Sequence, residues 1–400
     1  MKSWLSIVGI GEDGLAGLSP AARTLIETAE VLVGGKRHLA KLPANAGKQE
    51  RLTWSSPLAD MTERVAAMRG RRITVLATGD PMLFGIGATL AGRLSAEEMT
   101  VVPSPSAFAL AASRLAWPRD RVATLSVHGR PIQLVAPHVA PHARLLILAH
   151  DARTPSQIAG MLVARGFGDS RMIALSHMGG PEESRLEAPA RDWNHAVPDL
   201  HTLAVECVAG PDAVWHPRIG LPDDAFTHDG KLTKREARAA AIAKLMPHPG
   251  ALLVDVGAGC GSVSIEWMRA DANARAIGIE PAAERRALAA RNASVLGVPD
   301  LDIRDGRAPE ALGDLPPPDA IFVGGGVTEA TIAAAVEKLK PGGRLVAHAI
   351  MIESDSTLVG AHRRYGGNLV KISVARAEQV GSFLGWRPSM ALTQWAWRKV

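Results

Sequence analysis

The 400-residue sequence predicts an α/β protein built in two halves. Three observations carry that reading. Short apolar runs alternate with helix-patterned stretches along the chain, as they do where helices layer on sheets. A turn-rich interruption at residues 208–224 divides the alternation, which then restarts with cleaner periodicity. Behind it stands Val254-Asp255-Val256-Gly257-Ala258-Gly259-Cys260-Gly261, with Glu280 closing the next apolar run. A strand, alternating glycines and an acid about twenty positions on describe a nucleotide pocket in an open sheet.

In the first half, strands are expected near 4–10, 73–77, 99–102, 122–127, 144–149, 171–175 and 203–208. Helices are expected over 20–29, 57–68, 85–94 and 155–165. The interruption contains Gly210-Pro211-Asp212, His216-Pro217 and Leu221-Pro222-Asp223-Asp224, and reads as a linker over 209–224. In the second half a helix over 234–246 is closed by Pro247 and Pro249. Strands follow near 252–256, 274–279, 301–304, 320–323 and 344–349, with helices over 262–269, 282–296 and 329–339. Lys340-Pro341-Gly342-Gly343 stops the last helix, and 369–376 with 390–398 read as an antiparallel pair closing the sheet. The expected domains are therefore 1–208 and 225–400.

Composition narrows the function classes. Hydrophobic content of 47% and charged content of 21% are those of a soluble globular protein. The net charge of +5 suits an anionic ligand. The densest basic cluster, Arg69, Arg71 and Arg72, is too short for a nucleic-acid patch, so no nucleic-acid partner is expected. Two cysteines, Cys207 and Cys260, exclude a disulfide framework or a cysteine zinc site, and no metal centre is expected. The first eleven residues lack a signal-peptide core, and no apolar run approaches the ~20 residues that span a bilayer. The expectation is a cytoplasmic protein without a membrane partner.

The second-half motif favours S-adenosylmethionine over a dinucleotide. A dinucleotide fingerprint places its third glycine at position 262, which is Ser262; here it falls at Gly261, and Asp255 stands two residues before Gly257. Glu280 can accept hydrogen bonds from both ribose hydroxyls. Asp305-Gly306 ends the third strand, where an acid can receive the adenine amino group. Residues 318–325 form the fourth strand and the loop at its carboxyl end, where ligands sit in open sheets. These elements resemble the Rossmann-like S-adenosylmethionine-dependent methyltransferases. Leu232-Thr233-Lys234-Arg235-Glu236-Ala237-Arg238 and the run 257–266 are similar to the decarboxylating precorrin methyltransferase domain of cobalamin biosynthesis. That resemblance implies cofactor contacts at Thr233, Asp255, Gly257, Ala258, Gly259, Cys260, Gly261, Glu280, Asp305 and Ala308. Thr233 also reads as a helix N-cap, with Glu236 completing a capping box.

The first half carries Val8-Gly9-Ile10-Gly11, then Gly79-Asp80-Pro81, then Pro103-Ser104-Pro105-Ser106-Ala107 and Ser126-Val127-His128-Gly129-Arg130. Asp80 is expected to cap a helix that Pro81 starts. In this order the motifs resemble the tetrapyrrole methylase family, a different fold of two α/β subdomains with the cofactor between them. The branch most similar acts on carbon 5 of precorrins. The resemblance implies cofactor contacts at Gly11, Gly79, Asp80, Ser106 and Ala107.

Together the resemblances imply a bifunctional enzyme with one S-adenosyl-L-methionine site per domain. It would methylate carbons 5 and 15 of precorrin-6B and decarboxylate the ring C acetate, giving precorrin-8X. Its polycarboxylate tetrapyrrole needs cationic groups to grip it. Lys234, Arg235, Arg238, His128 and Arg130 are the candidates for that grip or for proton delivery. His348 is expected as a buried, hydrogen-bonded core residue. Related domains assemble, so a homo-oligomer is expected. The competing reading, an RNA or protein methyltransferase with an N-terminal recognition module, wants a basic, aromatic-rich strip, and the chain is 4% aromatic.

Overall fold

The computed structural model describes residues 3–43, 49–55 and 58–400. They form two compact units: Met1–Ile132 with His138–Val214, and Trp215–Val400 with Gln133–Pro137. Both units are α/β, as the alternation predicts.

The first unit holds two sheets. Strands β1 (Leu5–Ile10), β2 (Val31–Gly34), β3 (Glu50–Thr53), β4 (Ile73–Thr78) and β5 (Met99–Val102) pair in the order β3-β2-β4-β1-β5. Every pairing in this sheet is parallel. Its core-facing residues, such as Leu5, Ile7, Val31, Val33 and Val75, are fully buried, because helices cover a parallel sheet on both faces. The second sheet contains β6 (Ala123–Ser126), β7 (Arg144–Leu148), β8 (Arg171–Ser176), β9 (Ser184–Pro189) and β10 (His201–Glu206), in the order β6-β7-β10-β8-β9. Only β6 and β7 run parallel there; the other pairings are antiparallel.

The second unit is one seven-stranded sheet. Its strands are β11 (Leu252–Val256), β12 (Arg275–Ile279), β13 (Asp302–Arg304), β14 (Ala320–Val323), β15 (Arg344–Ala349), β16 (Asn368–Ile372) and, after an exposed hairpin of β17 (Ala375–Val380) and β18 (Phe383–Pro388), β19 (Leu392–Arg398). Their order is β13-β12-β11-β14-β15-β19-β16. β11 to β15 are parallel, and β19 runs antiparallel between β15 and β16. The chain starts at β11, steps outward to β13, then returns to lay β14 on the other side of β11. That reversal opens a crevice at the carboxyl ends of β11 and β14, which is where open sheets bind ligands.

Several elements differ from the sequence expectation. β2, β3 and β9 were not foreseen: β2 is four residues long, and edge strands β3 and β9 lack an apolar run. Helices Ala107–Leu115 and Ile352–Tyr365 were also missed. The expected helix at 57–68 is found as Leu58–Ala67, and Pro57 lies outside the described residues. The closing pair is β16 with β19, but β16 stops at Ile372, and Arg376 belongs instead to the hairpin. The stretch 209–224 is not a free tether throughout. Leu221 is fully buried, and the Gly220 and Leu221 N–H groups donate to the buried Glu266 carboxylate at 2.7 and 3.0 Å.

Candidate active sites

The second-unit site grows from the end of β11. The Gly257 and Ala258 N–H groups both donate to the Ile279 carbonyl, at 3.0 and 3.1 Å, which ties the glycine turn to β12. Gly257 has φ +72°, and a Cβ there would stand 2.8 Å from the Gly325 nitrogen. Any side chain would therefore force β11 and β14 apart at the crevice. Helix Ser262–Ala270 follows, so its N-terminal turn faces the same loop. Glu280 is buried at the end of β12. One of its carboxylate oxygens accepts the Gly259 N–H at 2.9 Å, and the other accepts the Ala282 N–H at 3.0 Å. Each oxygen keeps a lone pair, which fits it to receive two neighbouring hydroxyls.

Asp255 lies beneath the loop, almost wholly buried. Its Oδ2 accepts the Ser264 N–H and Oγ–H at 3.2 and 2.7 Å, while Oδ1 is buried without a partner. Burial raises its pKa to about 6 against the pull of those hydrogen bonds, with the Glu280 charge pushing the same way. A buried, half-satisfied carboxylate beneath a glycine loop fits a cationic ligand group. The Cys260 side chain packs in the apolar core, and burial raises its thiol to about 11, so only its backbone faces the loop. Ala308 is half-buried against the opposite core layer. Asp305 does not wall a buried pocket: its carboxylate is 72% exposed and pairs with Arg286 at 3.0 Å.

The segment 227–233 passes over this loop. The Asn292 side chain holds it, accepting the Thr227 N–H at 2.9 Å and donating to the carbonyls of Thr227 and Cys260 at 2.9 and 3.0 Å. The Lys231 carbonyl lies 3.8 Å from where a Gly259 Cβ would stand. Thr233 is not the N-cap; Lys234 is, and no capping-box hydrogen bond forms. Arg238 is not a substrate grip. It is fully buried, donating to Glu266 at 2.6 Å, to Asp223 at 3.2 Å and to the carbonyls of Leu221 and Thr233. Lys234 and Arg235 are exposed, Lys234 lying 3.9 Å from Asp223. His348 sits in the core, bonded to Gln394 at 2.8 Å and edge-on to Phe322, and burial lowers its pKa to about 3. It is neutral at physiological pH and lacks the acidic imidazolium proton a general acid would deliver.

The first unit contains a cleft of about 470 Å³, lined from both of its sheets. Gly11, Gly79, Asp80, Ser106, Ala107, His128 and Arg130 all line it. The volume is that of a small-molecule site. Gly79 has φ +58°, and a Cβ there would lie 2.9 Å from the Pro105 carbonyl oxygen, so the loops after β4 and β5 touch through this glycine. Asp80 does not cap a helix. Its carboxylate accepts the Met82 N–H at 2.9 Å, and the helix begins later, at Ile86. Ser106 does cap, accepting the Ala109 N–H at 3.2 Å at the start of helix Ala107–Leu115.

Residues not foreseen complete this cleft. Glu12 gathers Arg37 at 3.1 Å, Lys41 at 3.0 Å and His177 at 3.4 Å. Partial burial opposes its ionisation, but these partners hold its carboxyl below the usual range. Arg37 and His38 also bond the Thr78 hydroxyl, at 3.0 and 2.8 Å. Burial, with Arg37 and Lys41 beside it, lowers His38 to about 4. His201 Nδ1 donates to the Pro198 carbonyl at 2.7 Å, so Nε2 is a lone-pair acceptor, and it is buried without a hydrogen-bond partner in a residue that lines the cleft. One unmet acceptor in the lining suits a ligand ring bearing an N–H donor, such as adenine. Phe84 has φ +54°, strained for a bulky residue by on the order of 1–2 kcal/mol. Gly79–Asp80 and Ser106–Ala107 were legible as motifs; Glu12 and Phe84 stand within the glycine-rich runs 8–14 and 77–87 but carry no role the sequence assigns, and Arg37, Lys41, His177 and His201 belong to no motif. Among the described residues no His, Cys, Asp and Glu cluster could hold a metal ion.

Comparison with known proteins assigns each half of the chain to a family. Residues 5–193 match the tetrapyrrole (corrin/porphyrin) methylases, and residues 224–399 match the precorrin methyltransferase domain. A protein of Sinorhizobium sp named precorrin-6Y C(5,15)-methyltransferase [decarboxylating] is 46% identical over 402 residues, spanning 100% of this chain and 97% of that one. One of the same name from Mycobacterium tuberculosis is 36% identical, covering 98% of both chains. The crystal structure of the C-terminal domain of precorrin-6Y C5,15-methyltransferase from Rhodobacter capsulatus is 43% identical, with a TM-score of 0.44, covering 46% of this chain and 99% of that chain. The chain belongs to the precorrin-6Y C(5,15)-methyltransferase (decarboxylating) family of methyltransferases.

Proposed function

We propose that the protein methylates carbons 5 and 15 of precorrin-6B and releases the ring C acetate carboxyl as carbon dioxide, giving precorrin-8X. The first unit takes carbon 5; the second takes carbon 15 and the decarboxylation. Each unit binds its own S-adenosyl-L-methionine. The observation that carries this reading is the presence, in one chain, of two unlike sites that each fit a nucleoside. One is the glycine loop with Glu280 and the half-satisfied Asp255; the other is the cleft around Gly79 and Ser106 with the unmet acceptor on His201.

The cofactor supplies an electrophilic methyl on a sulfonium. The chain supplies position. Glu280 receives the ribose hydroxyls, Asp255 faces the cationic end, and the Gly257–Gly261 backbone lets the ligand lie against it. The acceptor is an electron-rich enamine carbon, so no side-chain nucleophile is required. Holding that carbon in line is an orientation effect worth up to ~7–11 kcal/mol. In the decarboxylation the bond from the acetate methylene to its carboxylate breaks. Its electron pair enters the protonated macrocycle and carbon dioxide leaves. His348 and Arg238 are walled into the core and do not deliver the proton; Lys234, exposed where the 227–233 segment meets the helix, is the remaining candidate in this unit, with Arg235 beside it as a carboxylate grip.

We further place the protein in the cytoplasm, where two buried free thiols are stable. Nucleic acid and membrane are not partners on this reading. We also assign a homo-oligomer, because the β17–β18 hairpin exposes Phe383, Leu384 and Trp386 together; light scattering of the full chain reads its mass. The deciding experiment incubates the pure protein with S-adenosylmethionine and precorrin-6B and weighs the product. The expected product has gained two methyl groups and lost one carbon dioxide. Any other mass balance overturns the assignment.

A further inference from the structure

Two cations line the first-unit cleft as arginines, and they are committed differently. Arg37 is tied to the Glu12 carboxylate and the Thr78 hydroxyl. Arg130 is exposed and, among the described residues, has no carboxylate partner for its side chain. What it does touch is a ring: its guanidinium carbon lies 5.4 Å from the Phe84 centroid. Phe84 is itself fixed from below, edge-on to the buried Phe108 at 6.1 Å. Phe84 is 44% exposed and lines the cleft. The Phe84 backbone holds a left-handed φ that bulky residues rarely adopt, and this keeps the ring in the cleft rather than in the core.

From this juxtaposition we infer that Phe84 and Arg130 form a substrate clamp, the Phe84 ring meeting the face of the macrocycle and the Arg130 fork binding one of its carboxylates. The inference rests on the proposed carbon-5 activity of this unit. The substrate class suits both halves of the clamp. A tetrapyrrole offers a flat conjugated face to an aromatic ring and a fringe of carboxylates to a guanidinium. A guanidinium already stacked on a ring keeps its N–H edge free and loses less freedom on binding than an unsupported one. The carboxylates of Asp199 and Asp151 act on His201, so that part of the cleft is unsuited to a polyanion, whereas the Arg130 guanidinium is suited to one. Phe84 and Arg130 are positioning residues, because neither takes part in bond making at carbon 5.

The test uses the full chain, S-adenosylmethionine and precorrin-6B, and resolves products by mass. The decarboxylating methylation in the second unit is the internal reference. In Arg130→Gln and Phe84→Leu, the precorrin concentration for half-maximal carbon-5 methylation rises about tenfold to a hundredfold, while its limiting rate changes less than about threefold. A decarboxylated product one methyl short accumulates. Arg130→Lys recovers part of the affinity, keeping the charge but not the fork. Binding of S-adenosylhomocysteine stays at two equivalents in every variant. Wild-type concentration dependence in both Arg130→Gln and Phe84→Leu overturns the clamp, as does loss of an S-adenosylhomocysteine equivalent. If the wild-type chain itself adds only one methyl, the carbon-5 reading fails first and the clamp falls with it.

Discussion

At the scale of single residues, Asp255 ties the physics of the second site to its chemistry. Its carboxyl titrates near 6 in the fold against an ordinary value of 3.8. A raised acid pKa means the folded state holds its proton more tightly than the unfolded chain. The stability this gives is full below pH ~4 and is lost as pH rises through ~6. At pH 7.5 the ligand-free protein therefore carries a buried, half-satisfied carboxylate that costs ~2–3 kcal/mol. A cationic ligand group relieves it. Asp255→Asn is expected to raise the stability of the ligand-free protein by ~2 kcal/mol at pH 7.5 and not at pH 4, read by urea unfolding. The same variant weakens S-adenosylhomocysteine binding, read by calorimetry. Equal or lower stability at pH 7.5 would rule out the cost assigned to this carboxylate. The sequence displays Asp255 and Glu280 plainly, because strand-end acids beside glycines form a local pattern. It does not display Arg238 as structural. A charged residue four places after Lys234 reads as surface until the fold shows Glu266, 28 positions on, facing it in the core.

At the scale of elements, Arg238 joins helix Arg235–Leu245 to two segments the sequence reads as loops. Its guanidinium serves the Glu266 carboxylate and the Leu221 and Thr233 carbonyls, and Glu266 in turn accepts the Gly220 and Leu221 N–H groups. Arg238→Ala would leave that carboxylate buried without its charge partner. The expected loss is ~3–5 kcal/mol in the unfolding free energy, larger than any surface arginine removal at ~0–1 kcal/mol. Arg235→Ala is the control. If the two variants unfold alike, the buried network does not anchor the segments at Leu221 and Thr233. Element legibility follows the same logic. Central strand β14 is a continuous apolar run and β11 is one broken only by Asp255, and both were readable. Edge strand β3, Glu-Arg-Leu-Thr, draws its pairing from a neighbour rather than from its own residues, and the β17–β18 hairpin has no buried face to print a pattern.

At the scale of the whole molecule, one chain is proposed to hold two donor sites of different construction. The glycine at each entrance is required by its backbone conformation and by a neighbouring main chain within 3 Å of any added Cβ. Substitution at either should therefore abolish one site by displacing a loop, not by removing a ligand contact. Wild-type chain is expected to bind two equivalents of S-adenosylhomocysteine. Gly257→Val removes one equivalent together with the decarboxylating methylation, and Gly79→Val removes the other together with the remaining methylation. The double variant binds none. The measurements are calorimetric stoichiometry and product mass on the same preparations. Additivity is the discriminating feature, since sites with no shared residues should lose their ligands independently. A single equivalent in the wild type, or loss of both equivalents from either single variant, would mean that the two motifs do not build two donor sites.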